Sequence, residues 1–253
     1  MLNNAWPSIY WHLFDWYLLP AGGYFGAKKA NEPVHVLFSY DDRSIVVVQS
    51  GPSRVPLRDV HLQTRILGLG GSERFVRDTV IDVPADSSVR VFPLPEPAGL
   101  PDHSAYVVDL RLVSADGRLF STNFYWLSTH PDVLADTSTW YMTPVKSYAD
   151  LTALRGMPQS SMTASASFSS RSGQGEARVT LHNPGPSVAF FVRLKVIGRG
   201  GQEALPVLWE DNYVSLLPGE TRTISASYAV RDLGGASPRV VVSGWNVLRT
   251  VAR

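Results

Sequence analysis

From Val34 onward the chain is written in a two-residue period. In RDVHLQTRIL the apolar Val60, Leu62 and Ile66 point one way and His61, Gln63 and Arg65 the other, and Tyr106, Val108, Leu110 and Leu112 share a face in AYVVDLRLVS. The segments HVLFSYD, SIVVVQS, RDVHLQTRIL, RFVRDTVID, SVRVFPL, AYVVDLRLVS and RLFSTNFYW are short and rich in β-branched and aromatic residues, and turn residues separate them. Asp116-Gly117 between two such runs is a hairpin signal, because glycine tolerates the left-handed backbone that a tight turn demands. The period stops at 129–160, where Pro131, Pro144 and Pro158 fall, and resumes with MTASASFSS, EARVTLHN, SVAFFVRLKVI, LPVLWEDNYVSL, TRTISASYAV and RVVVSGWNVL. Within SVAFFVRLKVI, Phe190, Val192, Leu194 and Val196 alternate with Phe191, Arg193 and Lys195.

This pattern predicts an all-β protein with two immunoglobulin-like β-sandwich domains, residues 34–128 and 161–253. Residues 129–160 form a packed linker, since Trp140, Tyr141 and Tyr148 do not belong in a flexible connector. Residues 1–33 differ. They read as a short strand, a helix from about Ser8 to Leu19, a Gly22-Gly23 turn and a second helical piece from Tyr24 to Ala30, closed by Pro33. Such a unit cannot bury its own apolar faces. It is expected either to pack against the first sandwich or to mediate self-association.

Composition narrows the chemistry. Twenty-three basic and twenty-two acidic residues leave a net charge of +1, so no electrostatic footprint points to nucleic acid. The apolar run from Ile9 to Leu19 is too short to span a bilayer and contains His12 and Asp15, so no membrane segment is expected. No cysteine is present, which removes disulfides and thiolate chemistry. The six histidines (12, 35, 61, 103, 130, 182) show no pair at ligand spacing, and no metal or cofactor is expected. Two adjacent carboxylate pairs, Asp41-Asp42 and Glu210-Asp211, cannot face each other across a scissile bond and read as turn and surface residues.

The opening stretch WPSIYWHLFDWYLLPAGGYFGAKKANEPVHVLFSYDDRSIVVV resembles the end of the catalytic barrel and the start of the next domain in family 2 glycoside hydrolases, in the branch of exo-β-D-glucosaminidases and endo-β-mannosidases. Leu2, Asn3, Trp6 and Pro7 stand where that family has its eighth barrel strand. Tyr24, Phe25, Lys28, Lys29 and Ala30 stand in the segment leading to an immunoglobulin-like domain. The resemblance continues through STNFYWLS, STWYMTPVKSYADLTAL and VLWEDNYVSLLPGE, and covers essentially the whole chain.

The resemblance implies that residues 1–33 are the last strand and helix of a truncated (β/α)8 barrel, with the rest of the barrel and its catalytic glutamates upstream. No residue of this chain is then catalytic. Its partner is the missing barrel of the same polypeptide, and Asn3, Asn4 and Trp6 would line the sugar subsite of the intact enzyme. The expected role is support of a barrel that hydrolyses chitosan oligosaccharides by a retaining mechanism. A carbohydrate-binding module for chitosan or mannose-containing glycans is a second reading, with Trp209, Tyr213, Trp245 and Asn246 as contacts. An endo-β-mannosidase fragment and a free-standing scaffold are others. Arg193 and Lys195 on one strand face would disfavour cationic chitosan there. A supporting role predicts exposed aromatic surface, and a binding module predicts a groove where aromatic and polar groups converge. An enzyme of this type is expected in the periplasm or the medium.

Overall fold

A computed structural model describes residues 12–51 and 55–252. The subsite residues expected from the resemblance, Asn3, Asn4 and Trp6, lie outside the described residues. The chain divides into two compact units: residues 29–157, and residues through Lys28 together with those from Pro158 onward. Among the described residues no helix is long and apolar enough to cross a membrane.

The first unit contains the seven strands that the period-2 pattern predicts: β1 (Val34–Phe38), β2 (Ser44–Gln49), β3 (Leu57–Gly68), β4 (Glu73–Val83), β5 (Ser87–Pro93), β6 (Ala105–Val113) and β7 (Leu119–Ser128). They form a three-stranded sheet β1-β2-β5 and a four-stranded antiparallel sheet β4-β3-β6-β7. Val36, Phe38, Ile45 and Val47 from the first sheet meet Val60, Leu62, Ile66, Tyr106, Val108, Leu110 and Leu112 from the second in one core. The turn between β6 and β7 is the expected Asp116-Gly117 hairpin, with Gly117 at φ 87°. β6 is buried on its other face as well, where Asp109 holds Arg111 at 2.8 Å.

The connector follows as a small hairpin, β8 (Val133–Leu134) with β9 (Val145–Ser147), and a 3₁₀ turn at Thr152–Gly156. Through Met157 it groups with the first unit, and its aromatics are not what holds it. Trp140 is 95% exposed, and Tyr141 and Tyr148 are exposed too. Leu154 and Met157 are the buried residues, and Ser128 Oγ donates to the Asp150 carbonyl at 2.7 Å.

The second unit contains β10 (Thr163–Arg171), β11 (Gln174–His182), β12 (Ala189–Ile197), β13 (Val207–Trp209), β14 (Val214–Leu216), β15 (Thr221–Ala229), β16 (Arg239–Ser243) and β17 (Thr250–Val251). Its sheets are β10-β11-β15-β13 and β14-β12-β16-β17. The run LPVLWEDNYVSL, read as one strand, is two strands on different sheets. Asn212 makes the corner: its side chain accepts from the Leu194 amide at 2.8 Å and donates to the Leu194 carbonyl at 3.0 Å, like a ladder partner for β12. In β12 the alternation shifts at a bulge between Ala189 and Val192, where Phe191 takes φ 55°. Ala189, Val192, Leu194 and Val196 therefore join the core, and Phe190 is buried outside that cluster.

The opening segment departs from expectation twice. Residues 12–20 are not helical: the Asp15 carboxylate accepts from the amides of Tyr17 (2.8 Å) and Leu19 (2.9 Å), and Leu18 stands at φ 61°. A short acceptor side chain here offers the backbone a turn in place of a helical ladder. The helix is α1 (Gly22–Ala30), and its residues through Lys28 group with the second sandwich, not the first.

Candidate functional site

The second sandwich holds a built seat for the opening segment. Phe25 of α1 is 4% exposed and belongs to the sandwich core, a burial worth about 1.5–3 kcal/mol. An aromatic chain surrounds it: Phe14 against Tyr24 (4.8 Å), Tyr24 edge-on to Phe25 (4.9 Å), Phe25 near Tyr213 (6.0 Å), and Tyr213 near Phe191 (5.2 Å). Offset and tilted ring pairs at these separations are favourable beyond the area they bury. Glycine at position 22 lets the helix approach closely, since a Cβ there would stand 2.9 Å from the tip of the Phe191 ring and the ring would have to shift.

Polar contacts fix the orientation. Lys28 Nζ donates to the carbonyls of Trp209 (3.1 Å) and Glu210 (2.7 Å), at the end of β13, and the Tyr213 hydroxyl donates to the Pro20 carbonyl at 3.4 Å. Burial pushes the Tyr213 hydroxyl above the ordinary phenol range, so it stays a donor. Phe191 and Tyr213, which receive the segment, both have left-handed backbone, with φ of 55° and 53°. Non-glycine residues hold that conformation only where their surroundings over-determine it.

Beside the seat lies an open groove of about 750 Å³, lined by Tyr24 and Lys28 of α1, by Phe168, Glu176 and Arg178 of β10 and β11, and by Leu208 and Trp209 of β13 in the same sheet, with Glu210. Of the four residues expected to contact carbohydrate, Trp209 lines this groove but is only 4% exposed. Tyr213 is committed to the seat. Asn246 is buried and accepts from the Phe190 amide (2.8 Å) while donating to the carbonyls of Pro158 (2.7 Å) and Val188 (2.8 Å). Trp245 is 57% exposed and follows β16, on the opposite sheet from Trp209. The four are not brought together. Arg193 and Lys195 do not form a bare cationic face, because Glu203 pairs with them at 3.0 and 3.5 Å.

The carboxylate pairs are structural, as their spacing indicated. Asp42 accepts from the Ser44 amide at 3.0 Å and pairs with Arg90, and Asp41 accepts from Ser39. Glu210 accepts from the Ser225 amide at 3.2 Å, and Asp211 pairs with Arg222. The histidines are less scattered in space than in sequence: the rings of His103 and His130 stack at 4.1 Å beside Asp102. Linear spacing could not reveal this, since twenty-six positions and two strands separate the two rings.

Comparison with known proteins agrees with this architecture. Residues 45–130 match the mannosidase Ig/CBM-like domain family, and residues 140–247 match the exo-β-D-glucosaminidase Ig-fold domain family. The chain is 40% identical to an exo-β-D-glucosaminidase of Streptomyces avermitilis over 97% of its own length and 28% of that protein. It is 26% identical to the mannosylglycoprotein endo-β-mannosidase of Lilium longiflorum, over 96% of its length and 30% of that protein. Among solved structures, the crystal structure of the exo-chitosanase CsxA from Amycolatopsis orientalis matches all of this chain and 30% of that one, with a TM-score of 0.91 and 38% identity. The chain thus spans under a third of each of these relatives. Its two sandwiches are immunoglobulin-fold domains of the mannosidase and exo-β-D-glucosaminidase kind.

Proposed function

We propose that this chain is the non-catalytic region of a family 2 exo-β-D-glucosaminidase, acting on chitosan oligosaccharides when intact, and that its sandwiches support the catalytic barrel. The observation that carries the reading is the apolar surface left outside complete sandwich cores. In the second unit Trp16, Tyr17 and Leu18 are exposed beside the seat, and in the first unit Val133, Leu134, Trp140, Tyr141 and Met142 are exposed along the connector hairpin. A chain that ends its business at its own surface rarely leaves such clusters uncovered. The chain spans under a third of each relative's length, which supports a partner within the same longer polypeptide. Such an enzyme meets its polymer outside the cytoplasm, so we place the intact protein in the periplasm or medium.

The groove beside Tyr24, Phe168 and Trp209 favours a second reading, a carbohydrate contact of the second sandwich. Calorimetric titration of the chain with chitosan oligosaccharides and with mannose-containing oligosaccharides, beside a hydrolysis assay, separates the readings. The expected result is no turnover and no saturable heat from the chain alone, with hydrolysis restored when it replaces the matching region of the Amycolatopsis orientalis enzyme. Saturable heat would move the assignment to a binding module. Turnover by the chain alone, or an inert graft that nevertheless folds, would overturn the supporting role. Sedimentation of the same stock reads out pairing of two copies through residues 1–33.

A further inference from the structure

We infer that the first sandwich carries a binding site for a divalent transition-metal ion of the imidazole-preferring class, zinc or copper, formed by Asp102, His103 and His130. The three side chains each offer one ligand atom, and these atoms lie within 4.8 Å of one another. Each Asp102 carboxylate oxygen faces one ring: Oδ1 is 3.4 Å from His130 Nε2, and Oδ2 is 3.9 Å from His103 Nε2. Two ligands bound about 2.1 Å from a tetrahedral centre stand about 3.4 Å apart, so each Asp102 oxygen lies near ligand spacing from the Nε2 it faces.

What the opposite ring nitrogens do argues that the Nε2 atoms are the presented ones. His103 Nδ1 stands 3.1 Å from Asp150 Oδ2, and Thr152 in turn donates its amide (3.0 Å) and hydroxyl (2.6 Å) to the other Asp150 oxygen. A carboxylate that accepts a hydrogen bond from the Nδ1–H of a histidine fixes the tautomer and leaves Nε2 as a lone-pair donor, the arrangement found behind metal-bound imidazoles. His130 Nδ1 is enclosed and has no hydrogen-bond partner, so this ring too can offer only Nε2 outward. The rings lie parallel, with an interplanar angle of 2° and centroids 4.1 Å apart, and a shared ion would splay them.

Three protein ligands leave a fourth position for water, and two imidazoles with one carboxylate select zinc or copper over calcium and magnesium, which prefer an all-oxygen shell. The ligands come from the loop before β6 and from the residue pair after β7, with Asp150 supplied by the connector. A bound ion therefore staples the connector to the end of the sandwich. This site is independent of the supporting role proposed above.

The test is calorimetric titration of the whole chain with zinc chloride in a non-chelating buffer, repeated with magnesium and calcium chloride. One zinc per chain is expected, with no heat from the other two ions. His103→Gln and His130→Gln should each abolish binding or weaken it at least about tenfold, and Asp150→Asn, a positioning change, should weaken it by about ten- to a hundredfold. His61→Gln, whose ring pairs with Asp78 on β4, should leave it unchanged. Circular dichroism of each variant confirms the fold, and zinc should raise the melting midpoint of the wild type but not of His130→Gln. Absence of zinc heat, or equal binding by wild type and both histidine variants, would overturn the site.

Discussion

Asn183, Asn212 and Asn246, all buried, hold the second sandwich together from inside. Each carboxamide offers a donor pair and an acceptor, the same chemistry as a peptide group, so it can close a ladder where a strand leaves its sheet. Asn183 donates to the carbonyls of Ser187 (2.8 Å), Leu216 (3.1 Å) and Leu217 (3.1 Å) and accepts from Ser160 and Gly185. Asn246→Ala should strip the Phe190 amide and the Pro158 and Val188 carbonyls of their partner and cost about 2 kcal/mol or more, read by urea unfolding. The sequence names these asparagines but not their backbone partners, which are distant along the chain. That is why Asn246 reads there as a sugar contact.

His35 makes the residue scale sensitive to pH. Burial, with the Lys29 charge second, holds its imidazole below the usual value, and its Nδ1 is buried without a partner. The native state therefore stays neutral where the unfolded chain takes up a proton. Its contribution is intact above about pH 6.5, the unfolded value, and is lost as pH falls from there through the lower folded value. The urea midpoint of the first sandwich should drop between pH 7.5 and 5.5, and His35→Leu should flatten that drop. An equal drop in both proteins would assign the effect to other groups.

At the scale of elements, the strands were legible because alternation is local. β3 and β6 bury the residues that the two-residue period selects. The failures are at places where a side chain overrides the local pattern. Asp15 turns an apolar run out of the helix it suggests, and Asn212 splits a continuous strand pattern between two sheets. The residue pattern reads the Tyr24 to Ala30 segment as helical, and α1 covers it, but which sandwich receives it depends on Phe191 and Tyr213, far along the chain. Phe25→Ala should remove the ring at the centre of that seat and destabilise the second unit by about 3–5 kcal/mol, measured as its unfolding transition. Phe25→Leu, which keeps most of the volume, should recover much of the loss.

At the scale of the whole molecule, the exposed aromatics separate what the chain needs for its own fold from what it offers to a larger one. Trp140 and Tyr141 touch edge-on at 5.1 Å and lie outside both sandwich cores, so Trp140→Ser with Tyr141→Ser should leave the melting of the isolated chain unchanged. If the connector hairpin is covered by a catalytic barrel, the same pair in the Amycolatopsis graft loses large aromatic contacts of the type that dominate interfaces. The half-life of chitosan hydrolysis at elevated temperature should then fall several-fold, while the isolated chain shows no change. Equal effects in the two settings would mean that these aromatics serve the sandwich itself. No effect in either would leave the hairpin as ordinary surface and shift the supporting contact to Trp16, Tyr17 and Leu18 beside the seat.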